Sequence, residues 1–492
     1  MSRIIIQNGN MCELDLPLKF AQKLYAEFAI RHPNAFYLRT RQRGMQNWDG
    51  KIHYITKTGQ FKIGLLPAVY EKCTEYGIKP KVVDMRQPLP KVSKVVTKIG
   101  EYKLRPEQEK AVKAVINNKV GKVPFQIGVL DYTVNAGKTL IMSSLYLSYK
   151  KQLKTLLITN DSDWLNQARD EFKKYLPGEQ ITFVQGKVLN WSNFTIGMVQ
   201  SISRNMRFYQ NELAKVDMVL VDEADQAGSK QYQNVLTRLF NTRVRIGLSG
   251  TIYMSKLAKD KVKNMNLEVF FGKVLAEFKL KDSIKKGYST RTIVKMVPSK
   301  PWYGNWESEE VSYKEVYDDS ITFNKYARKM VYARLKWNIK QGRYPALVVC
   351  KFIAHCEKLC KYFKKKLGSK YNIACVHVDT PSKIRQQIMK DFREGKIDIL
   401  VSTTIIARGK NFPKLRYLLN AASMDSQEKS IQFLGRLVRT DSSKKKVYLD
   451  DLHYPGPYLN RHGKHRKQYY QKQELKVILL EKIWKNHPIH SL

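Results

Sequence analysis

A short glycine-containing motif stands where a phosphate group could bind. Asn135-Ala136-Gly137-Lys138-Thr139 follows an apolar run and precedes a helical pattern at residues 140–147. At such a strand-to-helix turn, backbone N–H groups and the helix N-terminus face an anion, and a lysine reaches the β- and γ-phosphates. The Thr139 hydroxyl would bind Mg²⁺. The motif predicts a nucleoside triphosphate site, although Tyr132 occupies the position of the usual first glycine.

Two adjacent carboxylates complement the phosphate-binding motif. Asp222 and Glu223 stand at the end of the apolar run 217–221, where side chains emerge at the mouth of a parallel sheet. Asp222 can hold Mg²⁺ while Glu223 orients or deprotonates a water molecule, as phosphoryl transfer to water requires. Together with Lys138, these two residues predict hydrolysis of ATP.

A third motif supplies arginines. The three- and four-residue spacing of Gln432, Arg436 and Arg439 predicts that they share one side of a helix. Two guanidinium groups that point the same way can act as arginine fingers on a γ-phosphate. An isolated pair of arginines could equally be solvated on a helix surface. The arginine-finger interpretation therefore depends on the presence of the phosphate-binding motif and the two carboxylates.

The elements that position these groups are short apolar runs alternating with longer amphipathic stretches. Strand-length runs that are apolar throughout are expected where helices cover both faces of a parallel sheet. The candidate strands occupy residues 126–130, 155–159, 217–221, 244–248, 346–350, 373–377 and 397–401. A polar stretch at about 280–345 separates two sets of strands, which predicts two α/β domains in tandem.

Charge and composition limit the possible partners. The 492 residues include 88 Lys and Arg against 43 Asp and Glu, and the formal net charge of +45 indicates a polyanionic partner. With 43% hydrophobic residues the chain can build packed cores, which excludes disorder as a description of the whole. No apolar run has the roughly 18 residues of a membrane span, so we expect no membrane partner and a cytoplasmic protein. The six cysteines lack paired spacing, which argues against a disulfide framework.

The order of the motifs resembles that of the superfamily-two helicases and translocases. Besides the three motifs above, the resemblance rests on segments 104–108, 155–160, 195–200, 248–251 and 401–413. It covers residues 99 to about 452. The resemblance implies two RecA-like domains, with ATP and Mg²⁺ as cofactors.

The resemblance also implies roles for residues of the first α/β domain. Arg105 and Gln108 belong to a segment similar to the one that recognises adenine, with Gln108 reading the base edge. Ser249 and Thr251 belong to a segment similar to the one that couples ATP state to strand binding. Gln200 belongs to a segment whose loop touches the nucleic-acid backbone.

Further implied roles fall in the second α/β domain. Gly409 and Asn411 would contact the nucleotide, and Asn411 stands where an aspartate is usual in the ribose contact. Thr403 and Arg408 would contact the nucleic-acid backbone. These assignments follow from the resemblance of residues 401–413 to the corresponding family motif.

The first 98 residues indicate which group within the superfamily the chain resembles. They carry 17 Lys and Arg against 7 Asp and Glu. The motif QRGMQNWDGK at 42–51, followed by IGLLP at 63–67, resembles the leading domain of the UvsW-type bacteriophage helicases. Those enzymes remodel branched DNA in recombination-dependent replication, including Holliday junctions, stalled forks, D-loops and R-loops. The resemblance implies branched DNA as the partner, RNA contact in R-loops, action as a monomer on its substrate, and location in a bacterial host cytoplasm.

Arginines alternate with polar residues at positions 39–43, and this pattern suggests how the basic region could bind DNA. Arg39, Arg41 and Arg43 alternate with polar residues, so on a strand they would share one face. Asp49-Gly50 signals a hairpin turn, after which Lys51 would return along the partner strand. Such a ribbon suits backbone phosphates.

Aromatic residues add a second possible contact in the same region. Trp48, Phe36 or Tyr37 is available to stack on an unpaired base. The alternative is that the arginines solvate an exposed sheet face while Trp48 belongs to the core.

We therefore expect an α/β protein with four parts. Residues 1–98 form a small basic α+β DNA-binding domain, 99–286 and 287–452 form the RecA-like domains, and 453–492 form a short basic helical segment. In the last part, apolar residues between 475 and 484 predict a helix packed on the second RecA-like domain. Basic residues that include Arg461 and Arg466 equally suggest contact with nucleic acid, and the sequence leaves both interpretations open.

Four other functions remain compatible with the sequence, one of which is the motor part of a restriction complex in which a partner chain would carry out any cleavage. Within enzymes, the chain could be an RNA helicase or a translocase that moves on duplex DNA without separating strands. In a different class, it could be a clamp that binds ATP and scarcely hydrolyses it, given Tyr132 and Asn411 at the two atypical positions. Retention of Glu223 and the arginines argues against the clamp.

Overall fold

The apolar runs form two parallel sheets in the computed structural model. It describes residues 2–42, 44–160, 162–188, 191–252, 258–299, 311–407, 412–442 and 444–480. The chain divides into two compact units, Met1–Phe278 and Lys279–Leu492. Each unit contains one of the two sheets, so the predicted α/β fold with tandem parallel-sheet domains is confirmed.

The first unit is built on a seven-stranded sheet in which all paired strands run parallel. In spatial order its strands are Ile181–Val184, Phe194–Met198, Thr155–Thr159, Met218–Asp222, Val244–Ser249, Ile127–Tyr132 and Val274–Phe278. Every residue of its five inner strands is buried, as expected for a sheet covered on both faces. The carboxyl ends of all seven strands therefore lie along one edge of this sheet.

Helices follow the strands of this sheet. They span Pro106–Ile116, Lys138–Ser148, Ser162–Tyr175, Val199–Arg204, Met206–Ala214, Lys230–Leu236 and Ala258–Phe271. A 3₁₀ turn spans Ala224–Gln226, and two short ladders pair Lys98–Ile99 with Tyr102–Lys103 and Lys119–Val120 with Val123–Pro124. The strand-to-helix turns of such a fold bring loops together at the carboxyl edge of the sheet.

A smaller α+β module precedes this sheet. Its four-stranded sheet has the order Gln60–Lys62, Met11–Asp15, Arg3–Ile6 and Lys81–Asp84. A separate antiparallel ladder pairs Ala29–Arg31 with Lys51–His53. Its helices span Leu18–Glu27, Ala35–Arg41 and Leu66–Glu75, with a 3₁₀ turn at Ile63–Leu65. The predicted α+β character of this module is confirmed.

The predicted strand through the arginines of this module is wrong. Arg39 and Arg41 lie in the helix Ala35–Arg41, and Arg43 lies outside the described residues. Lys51 does begin a strand after Asp49-Gly50, but that strand pairs with Ala29–Arg31. The alternating pattern was too short to distinguish a strand from a single helical turn.

The small module packs directly on the parallel sheet of the first unit. The Gly9 N–H donates to the Phe240 carbonyl at 2.6 Å. The fully buried Arg245 donates through Nη2 to Gly9 O and to Asn10 Oδ1, both at 2.7 Å. Apolar residues of the module and of the sheet form one continuous core. Residues 1–278 therefore behave as one packed body.

The second unit repeats the parallel architecture. In spatial order its strands are Ile373–Val376, Ile399–Thr403, Ala346–Cys350, Tyr417–Asn420, Lys446–His453, Arg291–Pro298 and Lys476–Leu479. Its helices span Leu280–Lys285, Tyr313–Tyr317, Lys325–Lys340, Ile353–Leu367, Ser382–Glu394, Gln427–Leu437 and Leu459–Lys472. Shorter helical turns span Asp318–Thr322, Gly368–Lys370 and Thr404–Ala407. Among the helices that the structure describes, none combines the length and apolar character needed to cross a bilayer.

The end of the described chain differs from the prediction. Residues Lys476–Leu479 form a strand that pairs in parallel with Arg291–Pro298, where a helix was expected. The branched side chains of Val477 and Ile478 suit a sheet edge, which explains the difference. The basic helix Leu459–Lys472 precedes this strand, and its Arg466 is fully buried.

Candidate active site

The glycine-containing loop of the first unit has the backbone of an anion-binding turn. It joins the buried strand Ile127–Tyr132 to the helix Lys138–Ser148. Asn135 and Gly137 have φ values of 64° and 71°, in the left-handed region. A Cβ atom at Gly137 would collide with the Gln108 side chain. Glycine is therefore favoured at this position by φ, and any larger residue would also displace the end of the Gln108 side chain.

The predicted adenine-recognition segment lies against this loop. Gln108 Nε2 donates to the Ala136 carbonyl at 2.8 Å, and Gln108 Oε1 accepts from the Arg105 backbone N–H at 2.8 Å. Arg105 Nη1 donates to the Asn135 carbonyl at 3.3 Å. Both ends of the Gln108 amide thus support the loop, and the reading of a base edge by Gln108 stays a prediction.

Lys138 and Asp222 come together at the carboxyl edge of the sheet. Lys138 Nζ lies 3.4 Å from Asp222 Oδ1. Asp222 ends the strand Met218–Asp222 and is only 5% exposed. These two charges approach each other because the strands that lead to them, Ile127–Tyr132 and Met218–Asp222, are separated by a single strand and end at the same edge of the sheet.

Among the buried polar atoms at this edge that form no hydrogen bond with another described residue, two lie in the phosphate-binding loop and the carboxylate pair, and the second of them keeps only its ion-pair contact with Lys138. They are Asn135 Nδ2, a donor, and Asp222 Oδ1, an acceptor. Buried polar groups are normally paired, so an exception suggests an absent ligand or ion. A donor beside Lys138 fits a phosphate oxygen, and a carboxylate oxygen fits a hard cation such as Mg²⁺. The residues present therefore fit a magnesium-bound nucleoside triphosphate.

Glu223 has an unusual backbone conformation. Its φ of 50° and ψ of 49° are left-handed, a region that costs a residue other than glycine about 1–2 kcal/mol. Such strain persists where the surrounding structure imposes it, and it is frequent at functional sites. The conformation turns the chain immediately after Asp222, between the strand and the short turn Ala224–Gln226.

A hydrogen-bonded cluster joins the predicted coupling residues to the carboxylate motif. Ser249 Oγ donates to Asp225 Oδ1 at 2.7 Å, and it accepts from the Thr251 backbone N–H at 3.1 Å. Between these residues, a Cβ atom at Gly250 would lie 2.9 Å from Thr133 Cα. The coupling segment is thus in backbone contact with the phosphate-binding loop. Sequence reasoning did not assign Asp225 a role, because its partner is 24 residues away.

Gln200 lies at the same edge of the first sheet. Its Nε2 donates to the Asn160 carbonyl at 3.1 Å, and Asn160 Nδ2 donates to Gln226 Oε1 at 2.6 Å. The loops after three neighbouring strands are therefore linked in series. Contact of Gln200 with nucleic acid stays a prediction.

In the second unit, the predicted residues fall at two places. Thr403 ends the strand Ile399–Thr403. Gln432 and Arg436 lie in the helix Gln427–Leu437 and are partly exposed. Arg439 lies beyond the helix, and its carbonyl accepts a hydrogen bond from Thr290 Oγ1 at 3.1 Å. The expectation that Arg439 shares one helix side with Gln432 is wrong, because the helix ends two residues earlier.

Three predicted residues of the second unit lie outside the described residues. They are Arg408, Gly409 and Asn411. Their roles in binding the nucleotide and the nucleic-acid backbone stay predictions.

In the small module, Trp48 has a supporting position. Its Nε1 donates to the Lys51 carbonyl at 2.9 Å, and its ring meets His32 edge-on at 5.7 Å. Arg41 lies over the Tyr37 ring, with its guanidinium carbon 4.9 Å from the ring centre. Arg39 and Lys51 are both exposed to solvent.

Two known families match the chain, one in each of its two compact units. Residues 101–254 match the family described as type III restriction enzyme, res subunit. Residues 328–441 match the family described as helicase conserved C-terminal domain. Both matched regions resemble the superfamily-two helicases.

The chain spans less than two thirds of the length of the curated relatives it matches. A protein of Sulfolobus islandicus filamentous virus that carries a helicase name is 22% identical over 382 residues. That match covers 72% of this chain and 65% of the viral protein. The ATP-dependent RNA helicase DDX1 of Xenopus laevis is 19% identical over 54% of this chain and 38% of its own.

Solved structures share the fold at low sequence identity. The DNA-bound type ISP restriction-modification enzyme LlaBIII aligns with a TM-score of 0.55 and 12% identity, over 83% of this chain and 34% of its own. The RNA-bound Dbp5 of S. cerevisiae aligns with a TM-score of 0.53 and 14% identity, over 78% and 92%. T4 UvsW aligns over 97% of this chain and 98% of its own, with 19% identity and a TM-score of 0.44.

Proposed function

We propose that this helicase uses ATP hydrolysis to remodel branched DNA, by branch migration of junctions, regression of forks, and unwinding of D-loops or R-loops. The observation that carries the ATPase part is the approach of Lys138 to Asp222 at 3.4 Å beside a loop with a buried, unpartnered Asn135 amide. The branched-DNA part is supported by the resemblance of segment 42–51 to the UvsW-type leading domain and by the basic character of residues 1–98.

In this proposal the first unit binds the triphosphate. Lys138 and the loop N–H groups hold the β- and γ-phosphates. Thr139 and Asp222 would hold Mg²⁺, which when bound neutralises charge that develops on the phosphates. Glu223 accepts a proton from the attacking water or orients it.

The second unit contributes to the same reaction in the proposal. Arg436 and Arg439 act as arginine fingers on the γ-phosphate, and Gln432 assists in positioning it. Gly409 and Asn411 contact the nucleotide. ATP contacted by both units would favour one conformation of the protein over another. Hydrolysis removes the γ-phosphate and with it this preference, so the conformation changes and the affinity of each unit for the nucleic-acid strand changes with it.

The nucleic-acid contacts are proposed along both units and the small module. Backbone phosphates would be held at exposed basic and polar positions, which bind without reading sequence. The residues are Arg39, Arg41, Arg43, Lys51, Gln200, Thr403 and Arg408. We propose that the chain acts on DNA as a monomer.

Steady-state ATPase activity on a panel of nucleic acids tests this function. We expect strongest stimulation by four-way junctions and forks, weaker stimulation by linear duplex and single strands, and a decrease at higher salt. Stimulation by RNA alone would instead indicate that the protein is an RNA helicase. The similarities to the RNA helicase DDX1 and to RNA-bound Dbp5 are the reason to test this alternative. Stimulation by linear duplex equal to that by junctions would assign a duplex translocase.

Two variants separate catalysis from binding. We expect Lys138→Ala and Glu223→Gln to lower ATP turnover by at least about 100-fold, since a positioned proton acceptor alone contributes about 10²–10⁴-fold. DNA affinity should stay close to that of the parent, because neither residue is among the proposed nucleic-acid contacts. Parent-like turnover in either variant would refute the site assignment. Tight DNA binding with no turnover in the parent protein would favour the ATP-binding clamp.

A further inference from the structure

A pocket of about 550 Å³ opens in the small module between the helix Ala35–Arg41 and the ladder strand Lys51–His53. Its lining includes three cationic side chains, one aromatic ring, one amide and one carboxylate. They are Arg31, Arg39, Lys51, Phe36, Gln46 and Asp49. The volume lies within the range of small-molecule and cofactor sites.

The cationic side chains of the pocket are placed at an energetic cost. Arg31 and Lys51 lie directly opposite each other in the antiparallel ladder. Like charges at opposed positions destabilise a ladder. Neither Arg31 nor Arg39 forms an ion pair with another described residue. An anion bound between these groups would offset the repulsion.

The single carboxylate of the pocket does not neutralise this charge. Asp49 Oδ2 lies 2.7 Å from His53 Nε2, and Asp49 Oδ1 accepts from the Lys51 backbone N–H at 2.9 Å. The hydrogen bond with His53, followed by the one from Lys51, lowers the pKa of Asp49. Both carboxylate oxygens of Asp49 therefore form hydrogen bonds within the turn and the strand that follows it. The charged groups of Arg31, Arg39 and Lys51 stay available to bind a ligand.

The aromatic ring makes the pocket more than a phosphate site. Phe36 is 80% exposed although it lines the pocket. Arg39 follows it by three residues, so ring and guanidinium lie on neighbouring turns of the same helix face. The Gln46 amide makes no hydrogen bond with another described residue and is available to pair with a polar edge. A flat ring, an amide and several cations together match a nucleotide.

Duplex DNA cannot use this ring. In a duplex the faces of each base are covered by the neighbouring bases, so stacking on a side chain requires an unpaired or extruded base. Trp48, the other candidate for stacking, instead supports the Lys51 carbonyl through its indole N–H. Phe36 is thus the ring of the pocket that is open to a base.

We infer that this pocket binds one unpaired nucleotide of a branched DNA, with the base on Phe36 and the flanking phosphates on Arg31, Arg39 and Lys51. The inference rests on the proposed function and identifies what the small module recognises in its substrate. Forks and gapped branch points expose unpaired nucleotides, whereas linear duplex does not. The pocket therefore provides a preference for branched over linear DNA.

Equilibrium binding of the full chain tests the pocket. The probes are a fork with a short single-stranded gap at the branch and a linear duplex of equal length. We expect Phe36→Leu to raise the dissociation constant for the gapped fork about fivefold or more, because it removes the stacking ring, and to leave duplex affinity unchanged. Phe36→Tyr, which retains a ring, should bind the fork like the parent. Phe240→Leu is the matched control, since Phe240 is also exposed (43%) in the first unit but lies outside the pocket lining.

Three outcomes would overturn the inference. Equal affinity of Phe36→Leu and the parent for the gapped fork would show that the ring is not used. An equal loss for fork and duplex would show that the pocket takes backbone phosphates alone. Arg39→Ala should lower the salt dependence of fork binding by about one phosphate contact, a slope change of about 0.7–0.9. An unchanged slope would show that Arg39 contacts no phosphate of the fork.

The pocket and the proposed function can fail separately. If Phe36→Leu binds like the parent while junctions still stimulate ATP hydrolysis, the pocket is wrong and the remodelling function stands. If no DNA stimulates the parent protein, the proposed function fails whatever the pocket binds.

Discussion

Replacing Arg466 by alanine removes a charged side chain from the interior of the second unit. Arg466 and Asp451 are both fully buried, and their side chains meet with Nε to Oδ1 at 3.0 Å and Nη2 to Oδ1 at 2.9 Å. The guanidinium also donates to the carbonyls of Met424 and Leu452, each at 2.9 Å. It thereby joins the helix Leu459–Lys472 to the sheet.

The cost of this change can be worked from what Asp451 retains. Asn420 Nδ2 still donates to it at 2.8 Å and the Tyr470 hydroxyl at 2.6 Å, but no cation remains. Removing one partner of a buried ion pair costs about 3–5 kcal/mol, because the other charge is left uncompensated. We therefore expect the free energy of unfolding of this unit to fall by about 3–5 kcal/mol in Arg466→Ala. Arg461→Ala, an exposed arginine of the same helix, should change it by less than about 0.5 kcal/mol.

Urea denaturation with hydrogen exchange of residues 459–472 measures both variants. Loss of exchange protection in this helix should accompany the lower midpoint of Arg466→Ala. If the free energy of unfolding falls by less than about 1 kcal/mol in Arg466→Ala, as in Arg461→Ala, the argument that Asp451 is left as an uncompensated buried charge is refuted. The salt dependence of DNA binding should not change in folded Arg466→Ala, because a buried guanidinium cannot reach a phosphate.

Two further predictions concern single buried groups. Ser249→Ala removes the hydroxyl that donates to Asp225, so the free energy of unfolding of the first unit should fall by about 1–3 kcal/mol in chemical denaturation, and a change within error would show that this bond is not retained in solution. His355 is buried against the Tyr317 hydroxyl at 2.9 Å, and burial lowers its pKa to about 3. Since its unfolded pKa is near 6.5, the unfolded state binds the extra proton, and this stability is complete above pH 6.5 and lost as the pH falls from about 6.5 towards 3. Between pH 7 and pH 5 the parent should lose about 2 kcal/mol more than His355→Gln, and equal losses would contradict the buried neutral imidazole.

The strands that hold the ATP-site residues could be predicted because their signal is strong and local. The run Thr155–Thr159 forms a strand with the predicted limits, and the run before Asp222 is displaced by one residue. Uninterrupted branched apolar residues have few alternatives to a buried strand in an α/β chain. The position of Asp222 at the sheet edge follows from the same pattern.

Features that depend on distant partners could not be predicted. Asp225 lies in a recognised motif, but its bond to Ser249 exists only once two strands are adjacent. The pocket requires Arg31 to face Lys51 across a ladder whose strands are 20 residues apart in sequence. The helix Ala35–Arg41 buries only Ala35, so its sequence has almost no apolar periodicity to read.

The seam between the small module and the first sheet has a mechanical consequence. Gly9 donates directly to the Phe240 carbonyl, and a Cβ atom at Gly64 would collide with the backbone of Glu268. Backbone packed this closely leaves no hinge, so the module turns whenever the sheet turns. If the module binds a nucleic-acid strand as proposed, any rotation of the first sheet would be transmitted to that strand without loss at an intervening hinge.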